Sequence, residues 1–185
     1  MENIKQQLSD LVHNWVAIVM ITLFLFPVQH AVALTAPTVK TEYQLKQAML
    51  HRLSTTQYTP KQQLTNEDLI GLLKAVGFEG VGLKKAWAIA KRESTGRPLA
   101  YNGNRKTGDS SYGLFQVNMI GSLGKNRLEL FNEKFDMKTK TELFDPVTNA
   151  EITYYMTDGG KDWSSWKGMN PKAKEWLKLF PNKLA

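Results

Sequence analysis

Ala86-Trp87-Ala88-Ile89-Ala90-Lys91-Arg92-Glu93-Ser94, followed by Ser111-Tyr112-Gly113-Leu114-Phe115-Gln116-Val117-Asn118, is the pair of stretches on which the reading of this chain turns. The first predicts an apolar helix that ends in a carboxylate. Three, four and seven residues before Glu93 stand Ala90, Ile89 and Ala86, so the acid closes a stripe that packs inward. Burial and the negative end of a helix both favour the neutral acid, the form able to protonate a leaving oxygen. The alternative is a surface glutamate paired with Lys91 or Arg92.

The second stretch supplies what such an acid needs. Gly113 predicts a close backbone approach to a ligand. Gln116 and Asn118 can donate and accept, as hydroxyl and N-acetyl groups require. Tyr112 and Phe115 offer flat faces for rings. The plainer alternative is a turn with ordinary core aromatics.

The rest of the composition removes competitors. There is no cysteine, and the three histidines are His13, His30 and His51. From residue 52 onward no Ser-His-Asp triad, Cys-His pair or histidine zinc site can be built. No metal or other cofactor is expected. The net charge of +7 favours an anionic partner or a soluble surface. The basic residues are scattered, which argues against a nucleic-acid arm; anionic lipid and acidic polymers, peptidoglycan with its free carboxylates among them, stay open as partners.

Along the chain, Trp15 to Phe26 is an apolar run broken only by Thr22, followed by Pro27 and Ala31-Val32-Ala33. That is the pattern of a secretory signal peptide cleaved after Ala33. Against it, Lys5 is outweighed by Glu2 and Asp10, and Trp15 to Leu34 is long enough to span a bilayer. Residues 1–33 are therefore expected to be a signal peptide or a membrane segment. Residues 34–64 read as a connector with one short helix over Tyr43–Leu53, and 65–185 as the functional domain. Within it, Thr65 caps a helix carrying Leu69, Leu72, Leu73 and Val76, with Gly77 as its stop. A second helix runs from Gly82 to Ser94. Asp145-Pro146 and Asn170-Pro171 open two more, the first ending at Gly159-Gly160. Residues 101–112 allow a short hairpin at most. The fold class is mainly α.

The two opening stretches together resemble the lysozyme-like domain of lytic transglycosylases, in which a Glu-Ser pair precedes a Gly-Leu-Met-Gln-like motif. The phage and virion-associated forms, with a Gly-Asp-x-Ser-Tyr-Gly-Leu-Phe-Gln-x-Asn strip, are most similar; here that strip begins at Gly108-Asp109. The resemblance continues through Asp145-Pro146, Asn149-Ala150 and Trp163-Ser164-Ser165-Trp166. It implies a two-lobed helical fold with a groove between the lobes. It implies cleavage of the β-1,4 bond between N-acetylmuramic acid and N-acetylglucosamine. One glutamate, Glu93, would protonate the leaving oxygen and then deprotonate the muramyl 6-hydroxyl to close a 1,6-anhydro ring.

In that scheme Ser94 orients Glu93. Ser111, Tyr112, Gly113, Gln116 and Asn118 bind sugar, and Tyr154 or Tyr155 lines the groove. Trp163, like Trp166, is either a stacking platform or a core anchor. Asp109 is a turn residue, or a second carboxylate that would hold a water as in goose-type lysozymes. The aspartate that tends to follow the strip in those hydrolases is replaced here by Asn118. The implied setting is the periplasm or a membrane anchor facing the wall, or a virion that opens the wall for genome entry. Ejection or secretion-channel proteins would be further partners, and a silent glycan-binding structural protein is the rival.

Overall fold

The computed structural model describes residues 41–184. The expected signal or membrane segment lies outside them. Among the described residues no helix is long and apolar enough to cross a membrane. Glu42 to the C-terminus forms one compact unit. It contains six α-helices: α1 Glu42–Thr55, α2 Asn66–Val76, α3 Gly80–Ser94, α4 Gly121–Phe135, α5 Pro146–Met156 and α6 Pro171–Lys178. Three two-residue strands lie between α3 and α4: β1 Tyr101–Asn102, β2 Ser111–Tyr112 and β3 Val117–Asn118. They form an antiparallel sheet in sequence order, with Tyr101 opposite Tyr112 and Ser111 opposite Asn118.

The caps read from sequence are present. Thr65 accepts from the Asp68 N–H, Asp145 from Val147 and Asn170 from Ala173, each satisfying a donor the helix start leaves open. Gly77 ends α2 at φ 121°, and a Cβ there would meet the Tyr154 ring at 3.1 Å.

Helix α3 runs through the middle. Leu83, Ala86, Trp87, Ala88, Ile89 and Ala90 are all buried, and three alanines let neighbouring elements approach closely. Trp87 meets Trp176 and Phe180 edge-on at 6.1 and 5.5 Å, which seats α6 and the residues after it on α3. Lys91 lies over the Trp87 and Trp176 rings, and burial lowers its pKa.

Three features differ from the sequence reading. Helix α1 belongs to the body and not to a connector: Leu53 is buried, Arg52 pairs with Asp68, and the Ser54 hydroxyl donates to Asp145 at 2.8 Å. Leu64 is buried too, so the compact unit begins well before residue 65. Helix α4 has no counterpart in the sequence reading. It starts on Gly121 without a side-chain cap and buries only Gly124 and Phe131, so neither a start signal nor a full apolar stripe marks it. The hairpin is in fact three strands.

Asn149, on α5 and wholly buried, ties the strands to the helices. Its Oδ1 accepts from the Phe115 N–H at 2.9 Å. Its Nδ2 donates to the carbonyls of Tyr112 and Leu143 at 3.0 and 2.9 Å. Asn149→Ala would remove the side-chain partner of one buried N–H and two buried carbonyls. We expect a loss of about 3 kcal/mol or more in urea-unfolding stability.

Candidate active site

A cleft of about 570 Å³ opens where the end of α3, the sheet, α4 and the Ser164–Trp166 turn converge. Its walls carry Glu93, Asp109, Ser111, Gln116 and Asn118 from the sequence reading. They also carry residues that reading did not assign to a binding site: Arg92, Arg97, Arg127, Lys167 and Asn170. No local pattern marks these as a group, because α3, α4 and the 165–170 loop bring them together from distant parts of the chain.

Glu93 sits at the last turn of α3. The stripe beneath it, Ala86, Ile89 and Ala90, is fully buried as its spacing predicts. The carboxyl itself emerges, its side chain 26% exposed. Arg92 donates to Glu93 Oε1 from Nε at 2.9 Å and from Nη2. The arginine pairing posed as the alternative to an inward acid is therefore present, in a glutamate that still faces the cleft.

Ser94 does something other than hold Glu93. It is 1% exposed; its hydroxyl donates to the Ala90 carbonyl and accepts from the N–H groups of Gly96 and Arg97. It shapes the exit of α3, where Thr95 turns left-handed at φ 59°.

Gln116 is held in a left-handed conformation at φ 50°. Its Nε2 donates to the carbonyls of Ala100 and Gly113, both at 3.0 Å, and its Oε1 has no hydrogen-bond partner among the described residues. The Asn118 amide is occupied: Oδ1 accepts from Ser110 and Ile120, and Nδ2 donates to Gly108. Its carbonyl accepts from Arg127 Nη1 at 2.6 Å. Asp109 reaches the cleft, with Oδ2 accepting from the Thr107 hydroxyl at 2.6 Å. Burial lowers the pKa of the Arg127 guanidinium, which has no carboxylate partner among the described residues.

Strand alternation puts Ser111 on the cleft side and turns Tyr112 away, onto Tyr101 and Phe144. Gly113 is needed for packing and not for ligand approach. At φ 75°, a Cβ would lie 2.1 Å from the Leu143 carbonyl oxygen and 2.3 Å from Asn149 Nδ2.

Tyr154, Tyr155 and Trp163 do not reach the cleft. Tyr154 packs edge-on against Phe78 at 5.0 Å. Tyr155 lies against Phe135 and lines a separate hollow with Val76 and Glu151. Trp163 is buried, stacks on Phe78 and donates to the Gly160 carbonyl at 2.9 Å. Trp166 is the tryptophan at the cleft, its indole N–H bonded to the Phe115 carbonyl at 2.6 Å. Among the described residues no cluster of three or more acidic or histidine side chains could hold a metal ion.

A family model described as a lysozyme like domain matches residues 71–168. The chain belongs to that family. The matched span runs from α2 to the turn that closes the cleft, so it includes Glu93, Asp109, Gln116 and Asn118. No curated protein and no solved structure matches the chain. Family membership makes the general chemistry that of lysozymes and transglycosylases: binding and cleaving the glycan strands of peptidoglycan.

Gly113→Ala places a methyl group where backbone and the Asn149 amide already stand. We expect it to cost roughly 3 kcal/mol or more, seen as a lowered urea midpoint.

Proposed function

We propose that this protein is a peptidoglycan lytic transglycosylase that uses Glu93 as its only acid and base. It would cut the β-1,4 bond between N-acetylmuramic acid and N-acetylglucosamine. The supporting observation is the make-up of the cleft: among the described residues Glu93 and Asp109 are its only acids, set among amides, two serines and four cationic side chains with Arg92 counted. Glu93 closes the buried stripe of α3 and keeps one oxygen without a protein partner among the described residues.

The steps balance without water. Glu93 gives its proton to the leaving oxygen and the C1–O bond breaks. The substrate's own N-acetyl group meets the positive charge that develops, so no second carboxylate is required. The Glu93 carboxylate then takes the proton of the muramyl 6-hydroxyl while that oxygen bonds to C1. The enzyme ends in the protonation state in which it began. Arg97, Arg127 and Lys167 give the cleft an attraction for a carboxylate-bearing strand.

Asp109 on the same wall favours a second reading, a hydrolase in which it holds the attacking water. In either case the substrate lies outside the cytoplasmic membrane. We therefore extend the proposal to an exported or anchored protein facing the wall, with local wall opening during phage genome entry as its setting.

Turbidity clearing of purified peptidoglycan tests the role of Glu93. Glu93→Gln is expected to slow clearing by roughly 10³-fold while the protein stays folded; clearing at the wild-type rate would remove the enzyme reading. Mass spectrometry of the released muropeptides is expected to show 1,6-anhydro ends, with Asp109→Asn changing the rate by less than about 5-fold. Reducing ends, together with an inert Asp109→Asn, would instead establish the hydrolase.

A further inference from the structure

We propose that Arg92 is a positioning residue that divides the work between the two oxygens of Glu93, anchoring Oε1 and leaving Oε2 to carry the proton. This rests on the reading of Glu93 as acid and base.

Neighbouring residues on a helix point in different directions, so Arg92 and Glu93 would not meet by backbone geometry alone. They meet through the reach of the arginine and through what holds it there. Nε and Nη2 both donate to Oε1. Nη2 also donates to the Trp166 carbonyl at 2.9 Å, and Nη1 to the Gly168 carbonyl at 3.2 Å. The arginine side chain is only 6% exposed, against 26% for Glu93. Among the described residues no hydrogen bond falls on Oε2.

A guanidinium is planar and its donors leave at fixed angles, so four bonds to three acceptors fix its plane. Two of those acceptors are backbone carbonyls of the 166–168 turn. That turn is itself bound to the catalytic strip, because the Trp166 indole donates to the Phe115 carbonyl. Arg92 therefore registers the Glu93 carboxyl against the backbone that carries Gln116, and not merely against its own helix.

The chemistry follows from the asymmetry. With Oε1 accepting two charged hydrogen bonds, a proton on Glu93 resides on Oε2, the oxygen that Arg92 leaves unbonded. Oε2 gives that proton to the leaving oxygen and later takes one from the 6-hydroxyl. Arg92 stays protonated in both steps, since an arginine does not release its proton in this pH range.

The test is steady-state turnover of purified peptidoglycan fragments by Arg92→Ala, Arg92→Lys and Glu93→Gln in the full chain, with thermal melting alongside. A misplaced acid loses rate more than binding. Arg92→Ala is thus expected to lower kcat roughly 10²-fold with KM within about 3-fold. Arg92→Lys supplies a point charge without the fork, and an intermediate loss of about 10-fold is expected. Millimolar guanidinium is expected to restore at least about 10-fold in kcat to Arg92→Ala and to leave the wild type unchanged. If Arg92→Ala does not fold, Arg92→Lys decides by its kcat alone.

Wild-type kcat in a folded Arg92 variant, a loss carried wholly by KM, or a folded Arg92→Ala that guanidinium cannot rescue would each overturn the assignment. If Glu93→Gln turns over at the wild-type rate, the reading of Glu93 itself falls. If Glu93→Gln is inert while both Arg92 variants run at full kcat, only the Arg92 assignment falls.

Discussion

One buried amide organises the site. Asn149 accepts from Phe115 and donates to Tyr112 and Leu143, so a single side chain on α5 closes the backbone of the strip that carries the cleft residues. A buried polar group is tolerable only when fully bonded, and here all three bonds run to main chain. Gly113 follows from this constraint, since the space its side chain would fill belongs to Asn149 and Leu143. Gln116 follows as well, because its amide bonds the carbonyl of that same glycine. The strip then meets α3 through Trp166, whose indole holds Phe115 and whose carbonyl holds Arg92.

What was legible in the sequence was what is local. Thr65, Asp145 and Asn170 announce helix starts because a cap acts over three residues. The inward stripe under Glu93 was legible for the same reason, since Ala86, Ile89 and Ala90 lie within two turns. The family match over residues 71–168 covers the motifs that carried the resemblance. Helix α4 was illegible because it packs through few side chains and begins on a glycine.

Roles that depend on three bodies meeting were misjudged or missed. Ser94 is adjacent to the acid in sequence, yet its hydroxyl serves the backbone of Ala90, Gly96 and Arg97. Trp163 and Trp166 have the same residue type and a spacing of three, yet one is a core anchor and the other lines the cleft. The resemblance puts Tyr154 or Tyr155 in the groove, and Tyr154 does not reach it. Here its ring packs against Gly77 and Phe78 instead. Arg127 reaches the cleft from α4, a segment that carries no motif at all.

The left-handed backbone at Gln116 has a meaning for how this sequence can drift. A residue with a Cβ pays roughly 1 kcal/mol or more to sit there, and glycine would sit there freely. Substitution to glycine would thus relax the main chain while deleting the amide that joins Ala100 to Gly113 and offers an oxygen to the cleft. Position 116 is a place where fold stability and glycan chemistry pull in opposite directions. A search for more heat-resistant variants would be drawn toward a change that empties the cleft wall.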